Sequence, residues 1–135
     1  MKHMTDAIVY IDGASKGNPG PAAIGIVVCL PTRVLKISRE IGISTNNQAE
    51  YHAAIEGVKT AIENGARRVK LLTDSELLTK QLKGEYKVKN KNIHQLMQLL
   101  KKYIANLEAF EVQHIPRERN MEADKLASQA LEKVE

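Results

Sequence analysis

Four acidic residues lie at positions of this sequence where burial would make a lone carboxylate costly. They are Asp12, Glu50, Asp74 and Asp124. Carboxylates that are brought together repel one another and shift one another's pKa unless a divalent cation neutralises them. A cluster of oxygen ligands without Cys and with little His selects hard cations. The sequence therefore predicts a site for Mg²⁺ or Mn²⁺ if the fold brings these four acids together.

Two of the acids lie on the apolar faces of predicted helices. Glu50 starts a stripe of small apolar residues at helical spacing, and Asp124 shares its face with Ala127 and Leu131. The stripe consists of Ala54, Gly57, Val58 and Ala61. Simpler explanations remain open, since Glu50 could lie in an exposed first turn and Asp124 could pair with Lys125 or with a lysine of a neighbouring strand.

The other two acids end apolar strands. Asp12 follows "IVYI" and Asp74 follows "VKLLT". Each again has a simpler explanation, because Asp74 could cap the helix that begins at Ser75 and Asp12 could be a turn residue before Gly13. Taken together, however, four such acids favour a shared site over four separate structural roles.

Hydrophobic periodicity predicts an α/β domain with the order β-β-β-α-β-α-α-β-α. A meander of three strands followed by helical crossovers implies a five-stranded mixed sheet with helices on both faces. The predicted strands are 6–13, 22–30, 33–42, 67–74 and 109–115, and the predicted helices are 44–66, 75–84, 91–107 and 120–134.

Composition limits the classes of protein that need to be considered. The 135 residues, 43% hydrophobic and 27% charged, suit a single domain over 1–135, with residues 1–4 expected to be partly a cloning addition. The net charge of +4 mildly favours a polyanionic partner. Because a single Cys29 excludes a disulfide framework and no apolar run is long enough for a membrane, we expect a cytoplasmic protein without a membrane partner.

Four segments of the sequence resemble ribonuclease H of type 1 in their order and spacing. They are "IDGASKGNPGPAAIGIV", "STNNQAEYHAAIEGV", "LLTDSELLTKQLKGEYKVKNKNI" and "HIPRERNMEADKLAS". The resemblance extends from about residue 7 to residue 130 and agrees with the predicted order of strands and helices.

The resemblance implies an endonuclease that hydrolyses the RNA strand of RNA–DNA hybrids and leaves 5′-phosphate and 3′-hydroxyl ends. The family's four metal-binding carboxylates correspond to Asp12, Glu50, Asp74 and Asp124. They would hold two Mg²⁺ or Mn²⁺ ions when substrate is bound, with no covalent enzyme intermediate. We expect the enzyme to act as a monomer.

The resemblance also implies substrate contacts. Backbone groups at Gly13 and Ala14, with the Asn18 side chain, would lie near the 2′-hydroxyls, which distinguish RNA from DNA. The start of the following helix would contact the DNA strand, with Thr45 and Asn46 at a phosphate and Asn47 and Gln48 near the minor groove.

The sequence departs from many relatives in two places. It has no Trp and no long basic protrusion, so it resembles a short subgroup in which Lys87, Lys89 and Lys91 would track phosphates, unless they form only a solvated loop. The mobile histidine that many relatives carry before the last aspartate has two possible counterparts. His114 matches by spacing but belongs to a predicted strand, so Arg117 is the preferred catalytic helper, acting electrostatically.

Two other interpretations of the sequence compete with that of a ribonuclease H. Proofreading exonucleases, junction resolvases and integrases share the fold and its acidic clusters, but lack the "TNN-x-A-E" and "N-x-x-A-D" patterns. A non-catalytic hybrid-binding module would be expected if one of the four acids were missing. Whether RNA–RNA duplexes are cleaved, and whether Mg²⁺ or Mn²⁺ is preferred, stays open.

Overall fold

The computed structural model describes residues 6–133, and the order of its elements is the predicted one. A short 3₁₀ helix, Arg117–Arg119, follows the last strand. The strands are β1 (Ala7–Ser15), β2 (Gly20–Cys29), β3 (Val34–Ser44), β4 (Arg68–Thr73) and β5 (Ala109–His114). The helices are α1 (Asn46–Glu63), α2 (Glu76–Leu82), α3 (Lys91–Ile104) and α4 (Met121–Glu132). The expectation for residues 1–4 lies outside the described residues.

The five strands form one mixed sheet in the order β3-β2-β1-β4-β5. β1 pairs antiparallel with β2, and β2 pairs antiparallel with β3, so the first three strands form the predicted meander. β4 lies parallel to β1, and β5 lies parallel to β4. The predicted fold class is confirmed.

α1 and α4 pack on opposite faces of the sheet. A Cβ added at Gly57 of α1 would lie 2.6 Å from Cγ1 of Val9 in β1. α4 instead approaches Gly25 of β2, which is the strand partner of Asp12. Because successive side chains of a strand point to opposite faces, Asp12 points to the α4 side and Val9 to the α1 side. The helices on both faces that the sequence predicted are therefore present.

The first strand and the loop after it differ from the prediction. β1 does not end near Asp12 but continues to Ser15, paired with β2, and β2 already begins at Gly20. The loop therefore shrinks to residues 16–19. The pairing of β1 with β4, however, stops at Ile11, opposite Thr73. Asp12 thus lies inside the hairpin with β2 and just beyond the end of the parallel ladder.

Local signals fix the bounds of α1. Thr45 is the N-cap, and its hydroxyl accepts from the Gln48 N–H while the Gln48 side chain accepts from the Thr45 N–H, which forms a capping box. The helix stops before Gly65, whose φ of +90° suits glycine. The prediction of the helix start and stop is confirmed, with bounds about two residues narrower at each end.

The close approach of α4 to Gly25 leads to a stability prediction. An added Cβ would collide with the backbone of Ala123 and Ala127, which cannot rotate away. We expect Gly25→Ala to lower the free energy of unfolding by about 3 kcal/mol, at the upper end of overpacking costs. The matched control is Gly42→Ala, where an added Cβ meets nothing within 4 Å and only the positive φ of +83° is unfavourable, at a cost of about 1 kcal/mol. Urea unfolding measures both, and equal losses would contradict the packing argument.

Candidate metal centre

Three carboxylates from different parts of the chain meet at the carboxyl end of the parallel strands β1 and β4. Oxygen atoms of Asp12, Glu50 and Asp74 all lie within 4.8 Å of one another. Asp12 comes from β1, Glu50 from α1, and Asp74 from the residue after β4. An open pocket of about 330 Å³ lies beside them. It is lined by Asp12, Gly13, Ala14, Asp74, Arg117 and Asp124.

The parallel pair of β1 and β4 explains why Asp12 and Asp74 are neighbours. Ile11 and Thr73 are the last residues paired across this ladder, and each is followed at once by an aspartate. The carboxyl ends of parallel strands are where ligands bind in open α/β sheets. The two strand-end acids of the sequence are therefore brought side by side.

Asp74 does not act as a helix cap. The cap of α2 is Ser75, whose hydroxyl accepts from the Leu78 N–H at 3.1 Å. This outcome removes the simpler explanation for Asp74, because its carboxylate serves no orphan N–H of that helix.

Glu50 reaches the cluster from the opposite face of the sheet because Gly13 has no side chain. A Cβ at Gly13 would collide with the backbone of Ala49 and lie 2.6 Å from the Glu50 nitrogen. The Gly13 N–H donates to Oε1 of Glu50 at 3.1 Å. Glu50 is 8% exposed, so the alternative of an exposed first turn is wrong. The glycine of "IDG" lets α1 approach the strand closely enough for its glutamate to join the aspartates.

Asp124 completes the pocket from the α4 side. Its carboxylate lies 3.9 Å from Nη2 of Arg117 and beside the carboxyl of Asp12. The ion pair that the structure shows for Asp124 is thus with Arg117, not with Lys125 or with a strand lysine. Because α4 packs on Gly25, opposite Asp12 in the hairpin, the fourth acid is held beside the first.

Crowding raises the pKa of three of these acids. The pKa of Asp12 rises to about 8, first because of burial and then because of the charges of Asp74 and Asp124, with Arg117 opposing. Burial, followed by the charges of Asp12 and Asp74, raises the pKa of Glu50 well above its usual value, against the Gly13 N–H. The pKa of Asp74 is raised by burial, while Asn120 lowers it.

The residues present fit a hard divalent cation. The cluster offers carboxylate oxygens at mutual distances that one small ion can bridge, and a cation there would relieve the repulsion that raises the pKa values. Asp12, Glu50 and Asp74 could hold such an ion, with Asp124 beside Asp12 as a further ligand.

The two candidate helper residues both lie near Asp74. His114 lies in β5, as the sequence predicted, and it is the last residue of that strand and exposed. Arg117 lines the pocket, and its side chain is 78% exposed. Arg117 and His114 both act to lower the pKa of Asp74, against burial and the charge of Asp124. Arg117 is the one in contact with a carboxylate, whereas His114 borders the cluster without lining the pocket.

The loop after β1 is tied to the start of α1. The Asn18 side-chain oxygen accepts from the Asn46 N–H at 2.9 Å, and Asn46 Oδ1 accepts from the Ser15 N–H at 3.0 Å. Two predicted contact regions, one for each strand of a hybrid, thus form one continuous surface beside the pocket. Sequence reasoning did not anticipate Ser15 in this connection.

Other residues that were predicted to contact the substrate form hydrogen bonds within the protein. The side chains of Thr45 and Gln48 are engaged in the capping box. Asn47 Nδ2 lies 3.5 Å from Oε1 of Gln81, which also accepts from the hydroxyl of the buried Tyr51 at 3.0 Å. Gln81 and Tyr51, to which the sequence analysis gave no role, therefore fix the start of α1 against α2.

The three lysines lie apart from the acidic cluster. Lys87 and Lys89 are exposed in the segment between α2 and α3, and Lys91 is the first residue of α3. They belong neither to the lining of the pocket nor to its ion pairs. If they contact phosphates as predicted, these phosphates belong to a part of the substrate that extends beyond the acidic cluster.

Comparisons with known proteins agree with the fold. A family described as "Reverse transcriptase-like" matches residues 10–130. Ribonuclease HI of Halobacterium salinarum is 37% identical over 125 residues, which cover 91% of this chain and 63% of that protein. This chain spans only 35% of the mycobacterial relatives that it matches at the same identity.

Two solved structures have closely similar folds. The crystal structure of RNase H1 from Halobacterium salinarum superposes with a TM-score of 0.90 at 35% identity, covering 95% of this chain and 98% of that one. LC11-RNase H1, solved in complex with an RNA/DNA hybrid, has a TM-score of 0.87 at 35% identity, covering 94% and 97% of the two chains. Among residues 6–133, no helix is both long and apolar enough to span a membrane.

The raised pKa of Asp12 gives a pH dependence with a definite sign. Between its ordinary value of 3.8 and about 8, the folded protein binds more protons than the unfolded chain, so the free energy of unfolding falls as pH rises. In EDTA we expect lower stability at pH 8 than at pH 5. Asp12→Asn should remove part of this loss and exceed the wild-type stability at pH 8.

Urea unfolding at the two pH values measures the effect, and Glu111→Gln on the exposed surface of β5 is the matched control. Wild-type protein that is as stable at pH 8 as at pH 5, with no gain from Asp12→Asn, would show that the carboxylates do not repel one another as described.

Proposed function

The chain belongs to the ribonuclease H family, and from this premise we propose that it is an endonuclease acting on the RNA strand of RNA–DNA hybrids. The observation that carries the proposal is the meeting of Asp12, Glu50 and Asp74 within 4.8 Å, with Asp124 beside Asp12. The hybrid in the solved complex of LC11-RNase H1, a similar structure, supports the choice of substrate. The products would be 5′-phosphate and 3′-hydroxyl ends.

The four carboxylates would hold the ions that the chemistry needs. When bound, two divalent cations supply a water of lowered pKa and neutralise charge on the reacting phosphate. The acids come from elements that the sheet and the packed helices fix, so the ligand positions are set before substrate arrives. Mg²⁺ and Mn²⁺ are the ions that suit such oxygen ligands.

Arg117 is placed to act on the phosphate from the rim of the pocket. Its guanidinium contacts Asp124 at 3.9 Å and is otherwise open to solvent, so it can turn toward an anion without breaking a buried interaction. An arginine stays charged at neutral pH, so its contribution would be electrostatic and not a proton transfer. His114, exposed beside Asp74, is the alternative helper.

Recognition of the two strands would use the surface beside the pocket. Backbone groups at Gly13 and Ala14 line the pocket itself, and Asn18 is fixed next to Asn46. The first two lie where 2′-hydroxyls of a strand at the cluster could be contacted. The start of α1, with Thr45 to Gln48, offers helix N-terminal N–H groups to a phosphate of the other strand.

The proposal includes a monomeric enzyme in the cytoplasm, as the sequence led us to expect. It also assigns Lys87, Lys89 and Lys91 to phosphates away from the cut, because all three are exposed and separate from the cluster.

Cleavage of labelled duplexes tests the proposal directly. We expect an RNA–DNA hybrid to be cut in the RNA strand with Mg²⁺ or Mn²⁺, and no cleavage in EDTA or of duplex DNA. Asp74→Asn should lower cleavage at least about a hundredfold while leaving hybrid binding within about twofold, because one ligand charge is lost. The control Glu122→Gln removes an exposed acid of α4 that pairs with Lys36. Equal cutting of duplex DNA would favour another nuclease class, and an active Asp74→Asn would remove Asp74 from the site.

Substitution of Arg117 and substitution of the lysines should change different kinetic parameters. Arg117→Ala should lower kcat more than it raises KM, whereas Arg119→Ala in the same 3₁₀ helix should change neither. Replacement of Lys87, Lys89 and Lys91 by Ala should mainly raise KM and flatten its salt dependence.

The charge-matched control replaces the exposed Lys101, Lys102 and Lys133. If the variant of Lys87, Lys89 and Lys91 kept the salt dependence of the wild type, these lysines would form only a solvated loop without phosphate contacts. A loss of kcat in His114→Ala but not in Arg117→Ala would reverse the choice of helper.

A further inference from the structure

Asn120 is a buried polar residue to which the proposed mechanism gives no role. It is the N-cap residue of α4, yet its side chain makes no capping bond to that helix. Asparagine at this position usually accepts from an N–H of the first turn. Here the residue is 1% exposed, and its side chain forms no such bond. Its side chain must therefore be explained by something else.

The side-chain amide of Asn120 lies at the end of the ladder between two strands. Nδ2 donates to the carbonyl oxygen of Ile11 at 2.8 Å, across 109 residues of sequence. The same amide lies beside the carboxyl of Asp74. Ile11 is the last residue of β1 that pairs with β4. Asn120 thus binds where the two strands stop pairing, directly before Asp12 and beside Asp74.

Asn120 also begins the helix that carries a third acid. Its carbonyl oxygen accepts from the Asp124 N–H at 3.1 Å, the ordinary backbone bond of the first turn of α4. The side-chain bond to Ile11 therefore ties the start of α4, and with it Asp124, to β1 directly before Asp12. Asp74, the residue after β4, lies beside the same amide.

Burial of the Asn120 amide is unfavourable for stability, because one of its polar atoms has no partner. Oδ1 of Asn120 is buried and has no hydrogen-bond partner. A buried acceptor without a partner is unfavourable, so an apolar residue of similar volume would spare the protein this loss. The donor side explains the choice of Asn, because its NH₂ group donates to the Ile11 carbonyl and has a second hydrogen available for the Asp74 carboxyl beside it.

We propose that Asn120 is a positioning residue that sets the spacing of Asp12, Asp74 and Asp124 and thereby the affinity of the cluster for divalent cations. The proposal rests on the proposed function only in that the cluster binds such ions. Partners that orient metal ligands commonly account for ten- to hundredfold in affinity. A role confined to packing or capping would instead affect stability and leave the affinity unchanged.

Two variants separate these roles. Asn120→Leu keeps the branching and the number of side-chain heavy atoms and removes the donor. Asn120→Ser keeps a good N-cap residue but is too short to reach the Ile11 carbonyl and the Asp74 carboxyl. Mn²⁺ binding to the free protein is measured by calorimetry, and urea unfolding in EDTA reports stability. The control is Met97→Ala, a buried substitution in α3, which contributes no residue to the cluster.

Both Asn120 variants should bind Mn²⁺ about tenfold more weakly or worse, and need correspondingly more Mn²⁺ for half-maximal cleavage, with KM for the hybrid unchanged. Met97→Ala should lose stability but keep its Mn²⁺ affinity. Mn²⁺ affinity within twofold of wild type in either folded Asn120 variant would overturn the proposal. Wild-type protein that binds Mn²⁺ but cuts no hybrid would refute the proposed function alone, because the comparison of Mn²⁺ affinities would still decide the role of Asn120.

Discussion

The repulsion among four carboxylates is the constraint on which the rest of this structure depends. Asp12, Glu50 and Asp74 share a space within 4.8 Å, and burial with mutual repulsion raises the pKa of Asp12 to about 8. A chain would not bring these groups together for stability, since each gains from being apart. The fold must therefore hold them against their repulsion, which the proposed cations would relieve. The packing around the cluster is the means by which it does so.

Close backbone contacts supply that rigidity. Gly13 lets α1 bring Glu50 against β1, and Gly25 lets α4 lie directly on β2 opposite Asp12. A methyl group at either glycine would collide with the backbone of the facing helix. The end of the β1–β4 ladder then places Asp12 beside Asp74 without any loop that could relax. The favourable free energy of these contacts offsets the repulsion between the carboxylates, as is common at functional sites.

The sequence predicted the elements and the acids well, because both leave periodic signals. The order of strands and helices is confirmed, and Glu50 is buried as its apolar stripe predicted. Long-range contacts leave no such signal. Nothing in a single sequence shows that β1 continues past Asp12 to Ser15, or that the Asn120 amide bonds to Ile11 across 109 residues. The segment "N-x-x-A-D" marked Asn120 only as part of a family pattern, while its role follows from the packing of α4.

The central claim is that this cluster holds two cations around one phosphate of an RNA strand, and a crystal structure tests it most directly. The Asp74→Asn variant, expected to bind hybrid without cutting it, would be crystallised with an RNA–DNA hybrid and Mn²⁺, and the ions located by anomalous scattering. The account predicts two Mn²⁺ ions among Asp12, Glu50, Asn at position 74 and Asp124, on either side of an RNA phosphate that faces Arg117. Mn²⁺ bound away from these residues, or a DNA-strand phosphate at the cluster, would contradict it.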